Sequence, residues 1–129
     1  MNLLLDTHAM LWAMIEPEKL SPNARALLAD PANSLTVGIS SLWETTLKIA
    51  IGRSTVPGSN IDFVIQNLDP FRIQLLPIRP EHLRILQALP FIHKDPFDRI
   101  LIAQAIAEGL PLVTGDRTLR SYEVETIWI

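Results

Sequence analysis

Four carboxylates that lie far apart in the chain, Asp6, Glu44, Asp98 and Asp116, hold the chemical interest of this sequence. Asp6 ends the apolar run Leu3-Leu4-Leu5, and Glu44 follows Ser40-Ser41-Leu42-Trp43. Asp98 stands near the start of an apolar stretch, and Asp116 follows Leu112-Val113-Thr114-Gly115. Asp95 is a candidate fifth member. Carboxylates gathered without a counter-ion repel, and their pKa values rise. A divalent cation removes that cost. Magnesium is a hard ion that takes oxygen ligands and keeps part of its water shell, so one or two carboxylates bind it directly and others hold its waters. Such a centre activates water and stabilises the charge of an in-line displacement at phosphorus.

Each acid also has a plain structural reading. Ser41-Leu42-Trp43-Glu44 fits a capping box, in which Glu44 only reaches back to a backbone N–H. Asp95-Pro96-Phe97-Asp98 fits a helix cap, a proline in the first turn and an acid near the positive helix end. Asp6 suits a cap for the helix after it, and Asp116 a turn residue after Gly115.

The elements that position these residues decide between the two readings. Leu3–Leu5, apolar on both faces, reads as a buried strand. Thr7–Ile15 reads as a helix ended by Pro17. A second helix opens at Ser21-Pro22 and stops at Asp30-Pro31. Ser34–Val37 is a second strand, and Ser40 or Ser41 caps a helix running to Ile51 and closed by Gly52. Residues Arg53–Asn60, with Pro57-Gly58, form a loop. Ile61–Leu68 is a helix, Ile73–Leu76 a third strand, and Pro80 starts a helix to about Leu89. Phe97–Glu108 is a helix apolar nearly all round, hence central, and Gly109 ends it. Leu112–Thr114 and Val124–Ile129 are the fourth and fifth strands. Strands alternating with helices imply a parallel sheet covered on both faces, with ligands at the carboxyl ends of the strands. That rim is where the acids fall.

The 129 residues, without repeat or linker, are expected to form one domain, 1–129, large enough to bury roughly two-thirds of its unfolded surface. Hydrophobic residues at 48% and charged residues at 19% exclude a disordered chain. The absence of cysteine excludes disulfides and thiolate metal sites and fits a reducing cytoplasm. No apolar run approaches the ~20 residues of a membrane span, and neither a signal peptide nor a membrane role is expected. A net charge of −3 argues against coating nucleic acid by charge alone, but a bound cation would make the acidic rim attractive to phosphate.

Several segments together resemble the PIN-domain toxins of the VapC type. Leu3-Leu4-Leu5-Asp6-Thr7-His8 is similar to the family's opening motif, and Ser40-Ser41-Leu42-Trp43-Glu44 with Lys48 to its second. The most specific piece is His93-Lys94-Asp95-Pro96-Phe97-Asp98-Arg99 followed by Leu101-Ile102-Ala103-Gln104-Ala105. Leu112-Val113-Thr114-Gly115-Asp116 resembles the fourth motif. The resemblance implies an α/β/α sandwich on a parallel sheet of about five short strands. It implies endonucleolytic cleavage of RNA with Mg²⁺ or Mn²⁺, a VapB-like antitoxin and a homodimer. By motif match Asp6, Glu44, Asp98 and Asp116 are the catalytic and metal positions. Thr114 matches a hydroxyl residue near the metal, and Asp95 is then a cap or outer acid.

Other residues divide between roles. Arg99 suits a phosphate contact or an ion pair equally. His8 and His93 are expected to be structural or exposed. Lys48 is placed to pair with Glu44 one turn away, and Arg117 and Arg120 are candidates for gripping RNA backbone. Trp12, Trp43 and Trp128 are expected as core or interface anchors, with Trp43 in the core. Two rivals remain: an inactive binding module of the same fold, and another α/β phosphate-processing domain. The second would want a glycine-rich loop after the first strand, which Asp6-Thr7-His8 does not supply.

Overall fold

The computed structural model describes residues 1–128; Ile129, the expected end of the fifth strand, and the side chain of Trp128 lie outside the described residues. Five strands form one sheet: β1 (Asn2–Leu5), β2 (Ser34–Gly38), β3 (Ile73–Leu76), β4 (Leu112–Thr114) and β5 (Thr126–Trp128). Their order is β3-β2-β1-β4-β5, and every pairing is parallel. The crossovers contain α1 (Thr7–Ile15), α2 (Pro22–Ala29), α3 (Ile39–Ala50), α4 (Asp62–Leu68), α5 (Pro80–Ala88) and α6 (Pro96–Glu108). This is the expected α/β/α sandwich.

Alternation along β1 builds the two layers. Successive strand side chains point to opposite faces. Leu3 and Leu5 pack with Ala9 and Met10 of α1 and Val64 and Leu68 of α4. Leu4 packs the other way, with Leu101, Ile102 and Ala105 of α6. All three leucines are fully buried, and each such burial stabilises the fold by roughly 2 kcal/mol. That packing fixes where β1 ends, and so where Asp6 stands. The chain runs from β1 outward through β2 to β3, then returns to place β4 on the other side of β1. The ends of β1 and β4 therefore form a switch point, where crossovers diverge and leave a crevice.

Two local departures from expectation matter for the site. Helix α3 starts at Ile39, with Gly38 as its cap residue, so Ser41 and Glu44 lie inside the helix and do not form a capping box. A Cβ on Gly38 would stand 2.5 Å from the Gln104 side-chain oxygen of α6, so any larger residue there would require that side chain to shift. Three short 3-10 turns, at Pro17–Lys19, Pro57–Ser59 and Arg117–Ser121, also stand where no regular element was expected.

Candidate active site

Asp6 follows the end of β1 and is 5% exposed as a residue, and both of its carboxyl oxygens are engaged. One accepts the Ala9 N–H at 2.7 Å and caps α1. The other accepts the Thr114 hydroxyl of β4 at 2.7 Å. The same Thr114 oxygen accepts the Asp116 N–H at 3.0 Å, so one hydroxyl stitches the ends of β1 and β4 together. Glu44 enters from α3. The Thr7 hydroxyl donates to its Oε1 at 2.7 Å, and Lys48 Nζ lies 3.2 Å from its Oε2, as the i,i+4 spacing implies. Asp95 caps α6 by accepting the Phe97 N–H at 2.8 Å, which sets Asp98 in the first turn of that helix.

His93, expected to be structural or exposed, lies within the acidic group. Its Nε2 stands 2.9 Å from Asp116 Oδ2 and 3.2 Å from Asp98 Oδ2. Its Nδ1 accepts the Asp95 N–H at 3.0 Å. An acceptor nitrogen carries no proton, so we assign the proton to Nε2, which then donates to the two carboxylates. Ligand atoms of His93, Asp98 and Asp116 all lie within 4.8 Å of one another. His93 would become a metal ligand only by giving up the Nε2 proton.

Asp6, Glu44, Asp98, Asp116 and Asp95 line a single cleft of about 370 Å³, walled also by His8, Trp12 and Lys48. Burial pushes the Asp6 carboxyl upward, against the pull of Thr114 and the Ala9 N–H. Asp98 is raised to about 7, first by burial and then by the charge of Asp95, with His93 opposing. Glu44 and Asp6 push it in the same upward direction. At Asp116 burial also pulls upward, but hydrogen bonds from Thr118 and His93 outweigh it and the carboxyl is lowered. The cleft thus concentrates oxygen donors and more negative charge than its protein surroundings neutralise. That donor set fits a hard divalent cation.

The raised Asp98 carries a prediction for the metal-free protein. Between about pH 4 and pH 7 the folded chain holds a proton on Asp98 that the unfolded chain has released. Stability therefore falls as pH rises through that window, and the full cost of the charge is present above it. Asp98→Asn is expected to stabilise the chain at pH 8 by on the order of 1–2 kcal/mol, after allowing for solvent screening. The gain should fade toward pH 4. Urea denaturation in EDTA at the two pH values measures it, and no gain at pH 8 would contradict the assignment.

Two expectations are corrected. Arg99 does not reach the cleft. It is buried on another face of α6, where its guanidinium donates to the carbonyls of Pro90, His93 and Leu89 at 3.0, 3.4 and 3.3 Å and covers the Phe91 ring at 4.0 Å. Adjacent helix residues point about 100° apart, so neighbouring Asp98 in sequence does not put Arg99 on the same face. Trp43 is not core: it is 58% exposed, edge-on to Phe97 at 5.1 Å. Arg117 and Arg120 are exposed on the turn after Asp116.

A parallel sheet with carboxylates converging at its switch point defines the class, and the chain belongs to the PIN domain family, whose model matches residues 3–125. The chain is 31% identical to a protein named ribonuclease VapC22 from Mycobacterium tuberculosis (strain ATCC 25618 / H37Rv), over 98% of each. Its fold is similar to that in the crystal structure of VapBC2 from Rickettsia felis bound to a DNA fragment from its promoter. The TM-score there is 0.70 at 18% identity, covering 99% of this chain and 98% of that one. The VapBC-5 toxin–antitoxin structure from Mycobacterium tuberculosis gives a TM-score of 0.64 at 18% identity, covering 99% and 97%.

Proposed function

We propose that this chain is a metal-dependent endoribonuclease of the VapC type, the toxin of a toxin–antitoxin pair, with residues 1–129 as one PIN domain. The observation that carries the reading is the convergence of acids from four separate segments on one cleft. Likeness to a named VapC ribonuclease supports it. Asp6, Glu44, Asp98 and Asp116 are assigned to hold Mg²⁺, with Mn²⁺ able to substitute. When bound, such an ion supplies activation of water and stabilisation of the charge that grows on the phosphate.

The chain's own residues do the positioning. Thr114 and the Ala9 N–H orient the two oxygens of Asp6. Thr7 and Lys48 fix Glu44. Asp95 holds the helix start that presents Asp98, and His93 ties Asp98 to Asp116. No acid needs to act as a strong base at neutral pH.

The partner is a VapB-like antitoxin that covers the cleft, in line with the toxin–antitoxin complexes whose fold this chain shares. No helix among the described residues is long and apolar enough to cross a membrane, and we assign the toxin to the cytoplasm. Trp43 and Leu47 of α3 and its C-cap residue Ile51, spaced by four, are 58%, 45% and 65% exposed. That apolar stripe supports a homodimer, which sedimentation as a monomer at micromolar concentration would rule out.

The testing experiment is incubation of the purified chain with single-stranded RNA. Internal cleavage is expected with Mg²⁺ or Mn²⁺ and none with EDTA. Intact RNA under both conditions, together with no heat of Mg²⁺ binding by calorimetry, would favour the inactive binding module.

A further inference from the structure

A second hollow, of about 260 Å³, adjoins the acidic cleft. The two share His8, Trp12 and Lys48 as lining, so they lie side by side. The chemistry changes from one to the other. The cleft is acidic, whereas the hollow is lined by Lys19, Lys48 and Arg53 with Glu16 as its one acid. Lys19 is paired with Glu16 at 2.9 Å and Lys48 with Glu44 at 3.2 Å. The exposed Arg53 side chain has no hydrogen bond or ion pair among the described residues. Its backbone is nevertheless fixed, because its N–H donates to the Lys48 carbonyl at 2.8 Å.

Two aromatic rings line the hollow beside these cations. His8 and Trp12, one helical turn apart on α1, have ring centroids 5.6 Å apart and tilted by 41°. Lys19 lies 5.9 Å from the Trp12 centroid, so an incoming base would take the place of this exposed lysine or stack beside it. The pair begins two residues after Asp6. Aromatic faces for bases beside a cation for phosphate are what an unpaired strand requires, and a base stacked within a duplex cannot use them.

We propose that this hollow is a subsite for single-stranded RNA flanking the scissile phosphate. A base packs against the His8–Trp12 pair, and the adjoining phosphate pairs with Arg53. The inference rests on the nuclease reading above and deepens it by naming the residues that grip the strand beside the scissile phosphate.

The test is fluorescence anisotropy of the full chain with a labelled hexanucleotide RNA, at low salt in EDTA. Trp12→Leu and Arg53→Ala should each weaken binding about 10-fold. Arg53→Ala should also reduce the salt slope by about 0.7, as loss of one phosphate contact on a single strand requires. Trp12→Phe should restore most of the affinity lost in Trp12→Leu. An RNA lacking the stacked base should bind wild type about 10-fold more weakly and Trp12→Leu no more weakly than the intact RNA does. Arg84→Ala, on the exposed side of α5, should change nothing. If wild type cleaves RNA with Mg²⁺ but both variants bind as tightly as wild type, the subsite is wrong and the nuclease reading stands. If wild type neither cleaves nor binds RNA, the nuclease reading fails and the subsite falls with it.

Discussion

Asp6→Asn is expected to lower RNA cleavage by about 10³-fold, because a metal centre supplies several kcal/mol of transition-state stabilisation. The fold should survive. Asparagine caps helices about as well as aspartate, and its amide oxygen can still accept the Ala9 N–H. Its amide N–H₂ would face Thr114, whose hydroxyl oxygen has a lone pair to accept it. The substitution also removes a carboxylate that burial disfavours, so stability should change little. Single-turnover cleavage of RNA with Mg²⁺ and a thermal melt of the same preparation measure the two effects. A variant that melts like wild type and also cleaves like wild type would remove Asp6 from the chemistry. A variant that unfolds would be followed by Asp6→Ser, which keeps a capping oxygen without the charge.

Arg99→Ala should cost about 3 kcal/mol of stability and lower the melting temperature by on the order of 10 °C. Arg99 is a buried cation that no carboxylate neutralises within ion-pair distance among the described residues. Backbone carbonyls from the segment before α6 satisfy it, together with the Tyr122 hydroxyl at 3.4 Å. Truncation leaves the buried Leu89 carbonyl without its donor and strips the His93 carbonyl of its guanidinium bond, while the Tyr122 hydroxyl still donates to Pro90. The same segment carries His93 and Asp95, so cleavage should weaken as well. Arg99→Lys restores the charge but not the fork of donors, and it should recover less than half of the loss. A melting temperature within 3 °C of wild type for Arg99→Ala would show that solvent replaces the guanidinium.

Much of this architecture was legible in the sequence. Leu3-Leu4-Leu5 has no polar face, which only a strand buried on both sides explains, and Asp95-Pro96 announces the start of α6 through the chemistry of a cap. Asp6 illustrates why the two readings of an acid need not compete: one oxygen caps α1 while the carboxyl as a whole lines the cleft. What sequence proximity could not supply was direction. Arg99 and Asp98 are neighbours whose side chains diverge around the helix. Trp43 looks like core by residue type, yet α3 turns it outward. His93 meets Asp116 across 23 residues, and that contact depends on how the segment before α6 folds over the turn after β4. The sequence signals for His93 were its place two residues before Asp95 and its position at the head of the most family-like run.

The junction at Gly38 has a consequence for how the cleft is dimensioned. Glu44 and Asp98 ride on different helices, and the gap between those helices is set where α3 begins, against a Gln104 side chain that is fully buried and tethered through its amide N–H to the Pro77 carbonyl at 3.3 Å. The close approach of the α3 start to α6, on the helices that carry the two acids, therefore uses the space that one absent methyl group leaves. A side chain at that junction would meet the tip of Gln104 first, and that amide, whose Oε1 has no hydrogen-bond partner among the described residues, would have to turn aside before α3 could start where it does.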